Sequence, residues 1–86
     1  MIPFNPTTGR EYQGRNVMIL LSSNKVNLQW AGYDQWRQSG RQVRGGEKST
    51  YILTFKTWKD KKTGETKSRP LGLRVFNFEQ TDSLEN

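Results

Sequence analysis

Lys48-Ser-Thr-Tyr-Ile-Leu-Thr-Phe-Lys-Thr-Trp58 decides how this chain folds. In an extended backbone Tyr51, Leu53 and Phe55 share one face, and Thr50, Ile52, Thr54, Lys56 and Trp58 share the other. The alternation predicts a strand with Tyr51, Leu53 and Phe55 turned to the core. Asp60-Lys-Lys-Thr-Gly64 reads as a hairpin loop, and Leu71 to Gln80 returns as a second strand. There Leu71, Leu73 and Val75 share one face, and Arg74, Phe76 and Phe78 the other. Pro70 stands at the strand entrance, where a missing N–H costs least.

Upstream, Gln42-Val43-Arg44 reads as a short strand, and Gly45-Gly46 supplies a tight turn. Tyr33 to Ser39 reads as a short helix stopped by Gly40. Residues 24–32 read as a polar loop. The five apolar residues Val17 to Leu21 predict a helix capped by Asn16, with Val17, Leu20 and Leu21 on its buried face. Residues 2–14 are turn-rich, with Asn5-Pro6 and Thr8-Gly9 as markers. The expected fold is α+β: two short helices followed by a three-stranded antiparallel β-meander. It forms a single domain over 1–86 with an acidic, flexible tail over 81–86.

Composition narrows the function. The chain has 86 residues, fourteen Lys and Arg against eight Asp and Glu, and a net charge of +6. Cys and His are both absent. Disulfides, thiol nucleophiles and the commonest zinc ligands are therefore excluded, as is the commonest general base. General acid–base work would fall to carboxylates, Lys or Tyr. Glu47 and Asp60 read as a salt-bridging turn residue and a solvated loop residue. Gly45-Gly-Glu-Lys-Ser-Thr50 lacks the spacing of a phosphate-binding loop and leads into a strand, not a helix. No enzyme and no cofactor are expected. No apolar run approaches the roughly 20 residues of a membrane span. Met1-Ile-Pro-Phe lacks the pattern of a signal peptide, so a cytoplasmic setting is expected.

Charge and rings point to binding instead. Between Arg37 and Arg74 stand eleven basic residues and three acids. Aromatics reach 12% in a chain that is only 31% hydrophobic. Cations that follow a phosphate backbone, interleaved with rings that stack on unpaired bases, are the chemistry of single-strand recognition. The residues assigned to that role are Arg15, Arg41, Arg44, Lys48, Lys56, Trp58, Lys59 and Arg74. Phe76 and Phe78 read first as the second face of a covered sheet, and Trp30 and Trp36 as anchors of a small core.

Three blocks carry a resemblance. Asn5-Pro-Thr-Thr-Gly-Arg-Glu-Tyr-Gln-Gly-Arg-Asn16, Gly40-Arg-Gln-Val-Arg-Gly-Gly-Glu-Lys48 and Val75-Phe-Asn-Phe-Glu-Gln80 resemble, in this order, motifs of the ArdC-type antirestriction N-terminal domain family. The resemblance implies a single-stranded DNA-binding module of plasmids, phages and other mobile elements. In that family it is usually fused to a zinc metalloprotease-like domain, of which nothing carries over to a chain without His. The shorter length reads as a compact stand-alone version or a fragment.

Two partners follow. One is single-stranded DNA, with RNA as the variant that offers the same phosphates and bases. The other is a host defence enzyme inhibited by protein contact. DNA mimicry is excluded by the positive charge, since it needs an acidic surface. An exposed sheet edge also offers a route to a homo-oligomer.

Overall fold

The computed structural model describes residues 1–85. Its elements are β1 (Phe4–Asn5), β2 (Arg10–Glu11), α1 (Arg15–Leu21), β3 (Trp30–Gly32), α2 (Tyr33–Gln38), β4 (Arg41–Val43), β5 (Thr50–Lys59), β6 (Thr66–Asn77) and β7 (Thr81–Ser83). A single 3-10 turn over Phe78–Gln80 precedes β7. All strand pairs are antiparallel: β1 with β2, β4 with β7, and a central sheet in the order β3-β6-β5.

This architecture corrects the expected fold. The chain is α+β, but seven strands dominate and they divide among three sheets; two helices followed by a three-stranded meander is not what forms. The third strand of the central sheet is Trp30–Gly32, which lies between the helices in a stretch expected as loop. Three residues ending in glycine are too short to show a strand period. The 42–44 strand is real but shifted to Arg41–Val43, and it pairs with Thr81–Ser83, not with the long hairpin. The segment expected as an acidic tail thus begins as a strand; its last residue, 86, lies outside the described residues.

The central sheet is covered on both sides, but only at its β3 end. α1 closes one side, where Leu20, Trp30, Ile52 and Val75 form a core with Tyr12 and Ile19 packed against it. α2 closes the other, where Ala31, Trp36 and Val43 pack with Phe76 and Phe78. The face of α1 is therefore Leu20 with Ile19, while Leu21, expected inside, is exposed. Trp36 Nε1 donates to the Phe76 carbonyl at 2.8 Å, which ties α2 to β6. Trp30 and Trp36 are both buried, as expected for core anchors.

The strand faces are reversed relative to expectation. Ile52 is 1% exposed, whereas Tyr51, Leu53 and Phe55 are 57%, 49% and 63% exposed. Both faces carry apolar residues, so alternation alone could not say which one the helices cover.

Past Phe55 no helix reaches the hairpin, and every residue from Lys61 to Pro70 is exposed. The hairpin leaves the body as an arm, giving extents of 51 × 28 × 23 Å. The radius of gyration, 14.9 Å, exceeds the roughly 12 Å of a compact chain this long. Pro70 sits inside β6, opposite Phe55, and not at its entrance. β3 pairs only with residues 75–77, so at Pro70 the other side of β6 is open and no ladder bond is lost. The arm ends in a closed turn. Asp60 N–H donates to the Glu65 carbonyl at 2.8 Å, and Asp60 Oδ1 accepts from Lys62 N–H at 2.8 Å.

Candidate nucleic-acid interface

The arm concentrates charge that its own acids neutralise only in part. From Lys56 to Arg69 it carries six cations and two acids. The register sets Lys56 directly opposite Arg69, and Trp58 opposite Lys67. Residues directly opposed in an antiparallel pair project to the same face, with Cβ atoms about 4.5–5.5 Å apart, and like charges there destabilise the sheet. An anion lying between Lys56 and Arg69 offsets that repulsion. Asp60 removes part of the field: its carboxylate meets Lys67 Nζ at 2.9 Å. That contact, with the Lys62 N–H, holds the Asp60 pKa below its ordinary value.

Trp58 is 42% exposed. It shares a face with Ile52, which is the core side, not the side away from it. It escapes burial by standing six residues farther along the arm, beyond the reach of α1. Lys59 lies on the opposite face, toward the tip.

The other expected contacts are not brought together with these. Arg41 lies over the Phe78 ring at 4.0 Å and donates to Thr81 Oγ1 at 2.7 Å and to the Thr81 carbonyl at 3.0 Å. Arg44 bridges Glu47 at 3.3 Å and Asp82 at 3.0 Å, and also donates to the Glu79 carbonyl. Both guanidinium groups hold β4, β7 and the 3-10 turn in place. Lys48 is exposed, but its carbonyl accepts from Gln80 Nε2 at 2.8 Å. Arg74 lies over the Tyr51 ring at 5.4 Å, on the face opposite Lys56 and Trp58. Arg15 opens α1 and borders a groove of about 990 Å³ between the 8–16 segment and β5. Arg10, Tyr12, Asn16 and Phe55 also line that groove, so it continues the arm toward the body. Arg10, Lys67 and Arg69 belong to this surface and are missing from the sequence-based set. The sequence pattern starts the return strand only at Leu71, which leaves Lys67 and Arg69 outside any expected element.

The motif blocks serve the scaffold. Asn5 is buried; its side chain accepts from Thr7 N–H at 2.9 Å and donates to Gln35 Oε1 at 2.9 Å. Tyr12 donates its hydroxyl proton to the Trp30 carbonyl at 2.9 Å, and burial pushes its pKa up to about 12. Asn16, expected as a helix cap, instead holds the edge of β5 at Leu53; Gly14 stands at the cap position. Asn77, also buried, donates to the Asn27 carbonyl at 2.7 Å, and its N–H donates to Gln80 Oε1 at 2.8 Å. Gln80 reaches back to Glu47 Oε1 at 3.1 Å, which joins the second block to the third.

A family model for the N-terminal domain of anti-restriction factor ArdC matches residues 1–83. The chain belongs to this family. The metal-free crystal structure of the antirestriction protein ArdC from plasmid R388 superposes with a TM-score of 0.74 at 34% identity, covering 100% of this chain and 34% of that one. Its Mn(II)-bound structure gives 0.77 at 31% identity, over 96% of this chain and 35% of that one. Two Escherichia coli proteins named DNA primase TraC are 39% and 34% identical over 71 and 70 residues. Each alignment takes in 81% of this chain but only 7% and 5% of the primase. The chain thus spans about a third of ArdC and a small part of these primases. In the ArdC N-terminal fold seen here, no group of three or more acidic residues is placed to hold a metal ion among the described residues. Nor is any helix among them long and apolar enough to cross a membrane.

Proposed function

We propose that this ArdC N-terminal domain binds single-stranded DNA of a mobile element, largely independently of sequence, with the β5–β6 arm as its contact surface. The observation that carries the reading is the arm itself: exposed on both faces, with six cations, an unneutralised Lys56–Arg69 pair and a free-standing Trp58. A solubility surface has no need of an indole beside its lysines. Cations neutralise phosphates and release counterions, while rings take bases by their faces. That two relatives are DNA primases by name supports a nucleic-acid partner. The domain acts by holding its partner, not by catalysis, and meets it in the cytoplasm.

A salt-resolved titration against single-stranded DNA, duplex DNA and RNA of equal length tests the reading. Single strands are expected to bind more tightly than duplex at matched salt, because stacking needs unpaired bases. With about five phosphates neutralised, log K falls with log salt at a slope near −3.5. A slope near zero, or no preference for single strands, overturns the reading. Equal affinity for both forms would leave a bare electrostatic patch, and a chain that binds no nucleic acid would favour the second reading, in which the basic arm docks on an acidic face of a host defence enzyme.

A further inference from the structure

The Tyr51 side of the arm, opposite the Ile52 face that α1 covers, has a different chemistry from the Lys56–Trp58 side. Tyr51, Leu53 and Phe55 stand there in a row, repeating every 6.8 Å or so along β5, and all three are exposed. Opposite them in register are Arg74, Gly72 and Pro70. The Tyr51 ring lies across the backbone of Gly72: a Cβ on Gly72 would stand 1.7 Å from Tyr51 Oη and 2.3 Å from Cζ. Only glycine there leaves room for the ring against the sheet. The Arg74 guanidinium lies over the same ring, 5.4 Å from its centroid, at the end of the row away from Phe55. On this side β5 and β6 carry Tyr51, Leu53, Phe55, Thr57 and Lys59 facing Arg74, Gly72, Pro70, Ser68 and Thr66, with no carboxylate and a cation at each end.

Resting on the single-strand reading, we infer that this face is a base-stacking platform for a short run of unpaired nucleotides. Tyr51 and Phe55 are the stacking rings and Leu53 is the apolar floor between them. Arg74 and Lys59 meet the flanking phosphates. Gly72 is the seat that sets the Tyr51 ring. A polyanion fits the charge of this face, whereas a second copy of the arm would bring cations against cations.

The test uses the full chain and a labelled oligothymidine of about 12 nucleotides, within the range that small single-strand binders cover. The comparator is an abasic strand with the same phosphates. Tyr51→Ala and Phe55→Ala are each expected to weaken oligothymidine binding about 5- to 150-fold, with melting and the salt slope unchanged. Tyr51→Phe retains most of the affinity. Gly72→Ala weakens binding when Tyr51 is present and adds nothing in the Tyr51→Ala background. The abasic strand binds the wild type and the Tyr51→Ala, Phe55→Ala double variant alike. Wild-type affinity in the folded double variant, with steep salt dependence intact, overturns the platform and leaves the single-strand reading standing. A wild type that binds no strand overturns both. If the double variant instead turns a dimer into a monomer in sedimentation, the face is a contact between copies and the platform fails.

Discussion

The side-chain amide of Asn16 holds both backbone groups of Leu53 at the outer edge of β5. Its Nδ2 donates to the Leu53 carbonyl at 2.7 Å, and its Oδ1 accepts from the Leu53 N–H at 3.1 Å. One amide thus stands in for a neighbouring strand and roots the arm on α1. It also caps an edge that would otherwise offer free pairing groups. Asn16→Ala is expected to destabilise the fold by about 0.5–1.5 kcal/mol, the net worth of a hydrogen bond whose groups water can reach once the amide is gone. Asn16→Asp loses the donor and should behave similarly. Thermal melts measure the loss, and amide exchange at Leu53 should accelerate more than at Val75.

Arg44 and Lys48 separate a scaffold cation from a free one. Arg44→Ala is expected to lower the melting temperature, because its guanidinium joins Asp82, Glu47 and the Glu79 carbonyl. Lys48→Ala should leave melting nearly unchanged. Gly46 has φ +84°, so Gly46→Val strains the backbone although nothing stands within 4 Å of the new Cβ. Equal melts for Arg44→Ala and Lys48→Ala would refute the distinction.

Trp58 is predicted to serve binding, not stability. Trp58→Ala is expected to cost about 1–3 kcal/mol of single-strand affinity, with melting nearly intact. A buried tryptophan would instead cost about 3–5 kcal/mol of stability. Trp58→Phe keeps a π-face and part of the affinity. A melt and a titration on the same variant decide between the two.

Asp60→Asn tests whether charge on the arm is in use. The amide oxygen can still accept from Lys62 N–H, so the turn is kept, while Lys67 loses its ion pair. Affinity for single strands should rise, and the salt slope should steepen by up to about 0.7 if one more phosphate is engaged. An unchanged slope with unchanged affinity would place Lys67 outside the contact.

Two groups predict opposite limbs of a pH profile. Glu79 Oε2 accepts from Asn27 N–H at 2.6 Å and Val26 N–H at 2.7 Å, which holds its pKa below the ordinary 4.5. A depressed carboxylate contributes stability above 4.5 that is lost as pH falls through its folded value. Glu79→Gln should lower neutral stability and flatten the acid limb. Tyr12 is the reverse case: burial raises its pKa from 10.0 to about 12. Its contribution is complete below pH 10 and is lost as pH rises toward 12. A phenol titration should show one step near 12 that Tyr12→Phe removes.

The hairpin was legible because a long two-residue alternation and a Gly-ended loop leave little choice of structure. α2 and its Gly40 stop were legible for the same local reason: Gly40 has φ +93°. β3 was not, since Trp30-Ala31-Gly32 has no period of its own and becomes a strand only by pairing with Val75–Asn77. Lys56, Trp58 and Lys59 could be placed on the arm from residue type and spacing. Arg41 and Arg44 carry the same charge, yet apart from the local Arg44–Glu47 pair their partners come from residues 78–82, some forty positions away, and no local pattern shows that.

The sequence by itself determined the polarity of this protein, its basic stretch, the existence of the hairpin and its family motifs, because composition and short-range backbone preference settle those. Only the tertiary structure decided which side of β5 is inside. Both faces offer apolar residues, and the choice depends on where α1 and α2 land. They land at the β3 end of the sheet, over Ile52 and Val75 on one side and Phe76 on the other. Among the described residues no further element covers the rest of the hairpin, and Tyr51, Phe55 and Trp58 remain exposed.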